Sequence, residues 1–221
     1  MFSPSKNQVR QFLSSLSAAD VKHIDGTLLP HLEGTCDLLE SWGNRPAVSI
    51  AGLCHALYGT EGFALDLVSP EIRSNLQDLI GEEAEELVYL FGSCDRGYLY
   101  SRIINGRSLE FRNRFTGAVT TLESRQICDL LEVTVANELE ILRRKREPSV
   151  TERTYWLDLF EPSRHSLSNH AWTEIDETLR PGELRRHSVT RRFLRSIRKH
   201  AAQTASRVTE TPALSWFKKA G

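Results

Sequence analysis

The chain has 221 residues, a length that suits one large domain or a domain with an appendage. Hydrophobic residues make up 40% of it and charged residues 26%, so the chain can bury a core of ordinary size. A net charge of -1 excludes a global attraction to nucleic acid or to an anionic membrane, and no nucleic-acid partner is expected.

The apolar spacing of the first part of the chain is helical. It predicts a first helix over 9–16, capped by Ser3 or Ser5, and a second over 26–42. Pro46 suits the first turn of a third helix, 46–57, which is almost wholly apolar. We expect this third helix at the centre of the core.

Further helices are predicted over 69–79, 80–94 and 124–146, the last of which ends before Pro148. Residues 107–122 alternate between apolar and polar and contain a turn glycine, which predicts a short hairpin or an ordered loop. The predicted fold class is therefore all-α, a helical bundle with one short hairpin or ordered loop.

The composition changes after Pro148, and we place a boundary there. The prediction is a helical domain over 1–148 and a C-terminal helical extension over 149–221 packed on it. The extension includes a basic amphipathic stretch, LRRHSVTRRFLRSIRKHAAQ, which suits an acidic partner or is a docked helix with a solvated face. The sequence is compatible with a homodimer.

Four cysteines are present, and none falls in a C-x-x-C pair. They are Cys36, Cys54, Cys94 and Cys128. We interpret them as buried, reduced thiols, which favours a cytoplasmic location. The amino terminus has no long apolar segment of the secretory kind, and no apolar run approaches the roughly 20 residues of a membrane span.

Two consecutive predicted helices each carry a histidine, His31 in LLPHLEGTCDLLESWG and His55 in VSIAGLCHALYG. A helix, a tight turn and an antiparallel return helix would bring the two rings together. Imidazoles fixed on neighbouring helices suit a divalent transition metal, namely iron, manganese or zinc.

These segments resemble the HD-domain superfamily of metal-dependent phosphohydrolases, with the guanosine-tetraphosphate hydrolase domain and a group of uncharacterised HD-like bacterial proteins as the nearest likeness. IGEEAEELVYLF is similar to a later helix of that domain, and DLLEVTVANELEIL resembles the helix that carries the superfamily's final aspartate. The resemblance covers roughly 22–140. It implies a helical bundle that binds a metal and hydrolyses a phosphate-containing small molecule.

The sequence departs from the superfamily pattern at two ligand positions. The adjacent His-Asp pair is His55-Ala56, and alanine offers no ligand atom. The final aspartate position holds Asn137, whose carbonyl oxygen is a neutral and weaker ligand, although a buried asparagine bonded to backbone is the alternative. A carboxylate-bridged pair of metals is therefore not expected.

Other residues are candidates to complete the site. His23 lies about two helical turns before His31 and reaches the same face if the helix extends that far, or folds back if Gly26 breaks it. Glu61, in a glycine-flanked turn, resembles the family's water-orienting acid, with a turn brace as the alternative. Asp95 is a further catalytic candidate, with pairing to Arg96 or capping of the following helix as its alternative, and so is Tyr58, with packing as its alternative.

Three functions remain from the sequence. The first is a metal-dependent hydrolase in which Glu61 acts as base or ligand. The second is an iron-dependent oxygenase on the same fold. The third is a degenerate HD scaffold without enzymatic activity, which binds a ligand or a protein partner in the old cleft.

Overall fold

The computed structural model describes residues 5–23, 26–63, 65–145 and 148–180. In these ranges the chain is mostly helical with two small antiparallel sheets, which confirms the all-α prediction. The helices are α1 (Lys6–Ser15), α2 (Leu28–Ser41), α3 (Pro46–Cys54), α4 (Arg73–Ile80), α5 (Glu82–Ser93), α6 (Arg96–Ile104), α7 (Ser124–Arg144), α8 (Val150–Phe160) and α9 (Asn169–Leu179). The strands are β1 (Lys22–His23), β2 (Gly26–Thr27), β3 (Glu110–Arg112) and β4 (Val119–Thr121).

Helices α2, α3, α5 and α7 pack against one another and form the centre of the bundle. Helix α3 is apolar on nearly every side because it is surrounded by the other three, as its composition predicts. Pro46 occupies the first turn of α3, where its missing N–H costs no hydrogen bond.

Helices α2 and α3 approach closely because α3 carries Gly52 where the two cross. A Cβ atom at this position would lie 2.4 Å from Leu39 Cδ1, well inside contact distance. The short connection makes the helices antiparallel neighbours, so the start of α2 lies beside the end of α3. His31 and His55 therefore face each other at one end of the bundle.

The structure corrects two of the predicted boundaries. Helix α2 begins at Leu28 rather than at residue 26, because Gly26 and Thr27 pair with β1 in a hairpin. The long helix α7 ends at Arg144. Helix α6 (Arg96–Ile104) follows Asp95, where the sequence offered a helix cap as an alternative without bounds for the helix.

The predicted hairpin after α6 is confirmed, with Phe111 paired to Thr120 across β3 and β4. Helices α8 and α9 pack against α6 and α7. The basic C-terminal stretch lies outside the described residues. Among the residues that are described, no helix combines the length and the apolarity needed to cross a bilayer.

Candidate metal centre

Three side chains from three parts of the bundle meet at one buried point. The Nε2 atoms of His31 on α2 and His55 at the end of α3 lie 3.3 Å apart. The Oδ1 atom of Asn137 on α7 lies 3.0 Å from His31 Nε2. We call these three residues the imidazole centre. They are 1%, 2% and 4% exposed, so the point where they meet is shielded from bulk water.

The His31 ring is oriented by the carboxylate of Glu140, one helical turn after Asn137 on α7. A carboxylate only accepts, so the hydrogen between the two groups belongs to His31 Nδ1. Arg144 donates to the other oxygen of the same carboxylate. Gly34 leaves room for this arrangement, because a Cβ atom there would lie 2.7 Å from Glu140 Oε1.

The other two residues of the imidazole centre, His55 and Asn137, are also oriented by hydrogen bonds. His55 Nδ1 donates to the Gly52 carbonyl oxygen at 2.7 Å. Burial lowers the pKa of His55 well below its ordinary value, so the ring is neutral and Nε2 carries a lone pair. Asn137 Nδ2 donates to Glu138 Oε1 at 2.9 Å, which turns Oδ1 toward His31.

In the imidazole centre, hydrogen-bond acceptor atoms therefore face one another. With Nδ1 of each histidine already donating, Nε2 of a neutral His31 meets Nε2 of His55 and Oδ1 of Asn137. Such atoms come this close when a cation lies among them, either a proton on His31 Nε2, which then donates to Asn137 Oδ1, or a metal ion.

The spacing of the two histidine nitrogens is compatible with a metal ion. Nitrogen ligands about 2.0–2.1 Å from a tetrahedral ion are roughly 3.3–3.4 Å apart. The two Nε2 atoms are separated by 3.3 Å. The three ligand atoms are neutral, but the Glu140 carboxylate hydrogen-bonds to His31 and brings negative charge close to the point where they meet. This donor set suits iron, manganese or zinc.

His23 covers the imidazole centre rather than joining it through a nitrogen. The β1–β2 hairpin folds it back, so its ring stacks on His31 with 4.3 Å between ring centroids. Phe63 packs edge-on against the same ring at 5.5 Å. Burial, followed by the neighbouring His31, lowers the pKa of His23 to about 4. Its buried Nδ1 has no hydrogen bond to the described part of the chain.

A model for a domain of unknown function, DUF6817, matches residues 12–96. No curated protein and no solved structure matches the chain. The matched segment contains His23, His31 and His55, whereas Asn137 is contributed by α7, outside that segment.

Two of the predicted catalytic residues support α6 instead of the imidazole centre. Glu61 Oε2 accepts from the backbone N–H groups of Arg96 at 2.7 Å and Gly97 at 3.2 Å. Asp95 caps the same helix through the backbone N–H of Tyr98 at 2.8 Å, and it also pairs with Arg112. These are the turn brace and the helix cap that the sequence left as alternatives.

The third predicted catalytic residue, Tyr58, is fully buried and donates its hydroxyl to Glu85 Oε1 at 2.7 Å. Arg73 donates to both oxygens of this carboxylate, and Gln77 donates to one. We call these four residues the Glu85 network. Burial and the Glu85 hydrogen bond raise the pKa of Tyr58, so its phenol stays protonated and does not act as a base.

Sequence reasoning missed Glu138, Glu140 and Arg96. A signal for Glu140 was present, because spacing of three residues places it on the same face of α7 as Asn137. Acidic side chains in a helix expected to be buried indicate paired or ligand-orienting groups. Nothing in the local sequence marks Arg96, whose position depends on the turn that carries Glu61.

A second group of possible metal-ligand atoms lies on α2, with one buried and two exposed members. Cys36, Asp37 and Glu40 place one ligand atom each within 4.8 Å of one another. Lys6 already neutralises this group, because its ammonium contacts Asp37 at 3.0 Å and Glu40 at 2.9 Å. The acceptors of this group therefore have a donor, in contrast to those of the imidazole centre.

Proposed function

We propose that the protein is a metal-dependent enzyme that hydrolyses a phosphate-containing small molecule at the imidazole centre. The observation that supports this proposal is the meeting of His31 Nε2, His55 Nε2 and Asn137 Oδ1 with their hydrogens directed elsewhere. The reaction class comes from the HD-like resemblance, which is an argument by analogy.

These three residues would hold one iron, manganese or zinc ion. When bound, such an ion polarises a phosphoryl oxygen and lowers the pKa of water. The surrounding residues prepare the ligands in advance. Glu140 keeps the Nε2 atom of His31 directed inward, and the Gly52 carbonyl oxygen does the same for His55. Glu138 holds the amide of Asn137 with its oxygen toward the histidines.

Metal analysis of the purified full-length chain tests the proposal. After incubation with iron, manganese or zinc and removal of free ions, we expect about one equivalent of metal per chain. His31→Ala and His55→Ala should each lose it, because two ligands do not hold a divalent ion against water. His165→Ala and His170→Ala, which change exposed histidines, should retain it.

An absence of bound metal would indicate that the cation between these atoms is a proton. If the wild-type chain retains no metal, and His55→Ala is also metal-free and as thermally stable as the wild type, the imidazole centre has no metal function. Retention of metal together with hydrolysis of phosphate esters that is lost in His31→Ala would support the hydrolase. Circular dichroism of each variant separates loss of the ligand from loss of the fold.

The degenerate scaffold is the second candidate, and one observation favours it. Ala56, which stands where the superfamily has aspartate, is 2% exposed and packs in the core, so no side chain replaces that ligand from the same position. A metal-free chain that binds a small molecule would support this scaffold. Bound iron with oxygen-dependent chemistry would instead select the oxygenase.

A further inference from the structure

Arg96 lies beside the imidazole centre and has few partners. Its guanidinium carbon lies 4.7 Å from the centroid of the Phe91 ring, and the His55 ring packs on the same phenyl group at 5.1 Å. The Arg96 side chain is 15% exposed, so it is shielded from solvent on most sides. A positive charge is thus held next to the proposed metal ligands.

Few donors of this guanidinium have a partner in the part of the chain that the structure describes. Within the described ranges its ion-pair partner is Glu138, with 3.7 Å between Nη1 and Oε1, longer than a hydrogen bond. That carboxylate oxygen already accepts from Asn137. The nearby carboxylate of Glu61 is engaged by backbone N–H groups. The N–H groups of Arg96 that have no acceptor in the described part of the chain are therefore available to a ligand.

Arg96 also lies close to an exposed position of the chain. Gly62 is exposed, and a Cβ atom there would lie 3.8 Å from Arg96 Nη1. Phe63 and His23, which cover the imidazole centre, are partly exposed on neighbouring segments. An anion that enters between these residues would meet Arg96 beside the two histidines.

We propose that Arg96 anchors the phosphate group of the substrate, and that this anchor determines the substrate class, a small molecule with a phosphate group. The planar fork of a guanidinium matches phosphate oxygens with two parallel hydrogen bonds. The inference rests on the proposed function for the reaction, but the anion site itself depends on Arg96 and not on a metal.

Binding of inorganic phosphate to the full-length chain, measured by calorimetry with and without bound metal, tests the inference. Arg96→Met should weaken phosphate binding at least about tenfold in both states, as expected for loss of charge-assisted hydrogen bonds. The phosphate affinity of Arg96→Lys should lie between those of the wild type and Arg96→Met, since lysine keeps the positive charge and lacks the planar fork. Arg102→Met is the matched control, because Arg102 is 16% exposed and pairs with Glu110.

A pair of variants at Gly62 tests the same site without removing a buried side chain. Gly62→Asp places a carboxylate beside Arg96 at an exposed position, and Gly62→Asn is its neutral counterpart of the same size. We expect phosphate binding several times weaker in the aspartate variant than in the asparagine variant, and more so at low salt.

The outcomes separate this inference from the proposed function. Equal phosphate affinity in wild type and Arg96→Met, or no phosphate binding by wild type, overturns the anchor even when metal binding is intact. Acetate binding as tight as phosphate binding overturns the assignment of substrate class. Loss of phosphate affinity in Arg96→Met, in a chain that binds no metal, supports the anchor and contradicts the metal-dependent function.

Discussion

The Glu85 network and the imidazole centre are both buried polar clusters, but their hydrogen bonds are arranged in opposite ways. Glu85 is fully buried, and its two oxygens accept from Tyr58, Arg73 and Gln77. In the imidazole centre the hydrogens point outward, to Glu140, to a backbone carbonyl and to Glu138, and the acceptors point inward. The first cluster is complete by itself, whereas the second needs a cation.

This difference leads us to expect a structural role for the Glu85 network, and it is the basis of the function proposed for the imidazole centre. A satisfied buried network stabilises the packing of the elements it connects, here α4, α5 and the end of α3. Acceptors that are held together against their mutual repulsion lower stability unless something binds between them. Variants in the Glu85 network should therefore change stability alone, and variants around the imidazole centre should change metal binding.

The largest expected effect is on stability, for Glu85→Ala. Removal of this carboxylate leaves the Tyr58 hydroxyl buried without an acceptor and Arg73 without its ion pair. We expect the free energy of unfolding to fall by about 3 kcal/mol, less than for a fully buried pair because Arg73 is partly exposed. Chemical denaturation measures it.

The neighbouring Glu86→Ala is the control for that variant, since Glu86 is exposed and a change of about 0.5 kcal/mol or less is expected. Metal content should be the same in both. A Glu85→Ala chain that folds normally but no longer binds metal would contradict the division between the two clusters.

Glu140→Gln should affect the imidazole centre. The amide keeps a group that can accept from His31 Nδ1 but removes the negative charge, so we expect metal affinity to fall roughly 10- to 100-fold. Gly34→Ala should act in the same direction by displacing the Glu140 side chain. Competition with a chelator measures the affinities.

Glu33→Gln on the same helix as His31 serves as the control, because Glu33 pairs with Arg10 at the surface. Unchanged metal affinity in Glu140→Gln would show that the carboxylate does not orient a ligand.

Asn137→Asp should strengthen metal binding, since a carboxylate ligand neutralises a divalent ion better than an amide does. We expect an increase of about tenfold in affinity and a lower stability of the metal-free chain, because the new charge faces Glu138. Titration with zinc or manganese, compared with Asn105→Asp at an exposed position, measures the change. Equal or weaker binding would remove Asn137 from the ligand set.

Tyr58→Phe should give the smallest effect. Glu85 keeps its bonds to Arg73 and Gln77, so we expect a loss of about 1 kcal/mol in the free energy of unfolding. Metal content and any hydrolysis should stay at the wild-type level. A loss of hydrolysis without loss of stability would restore the catalytic role that the sequence predicted for Tyr58.

The sequence predicted those parts of the site that depend on helical periodicity. His31 and His55 lie on helices whose apolar spacing and short connection make them antiparallel neighbours, so their meeting was foreseeable. Asn137 was foreseeable from the likeness of its helix to the HD pattern. The catalytic roles predicted for Glu61 and Asp95 depended on loops, whose direction is set by capping of α6, a helix whose bounds were not predicted.

The amino-acid sequence by itself determined the helical class, the order of the central helices and the two histidines that face each other, because periodic apolar residues act locally along the chain. The tertiary structure alone decided which atoms of those histidines meet, which carboxylates orient them, and where Arg96 lies. These features depend on close approaches such as that at Gly52, and on hydrogen bonds between residues far apart in the chain. A local sequence pattern does not indicate such contacts.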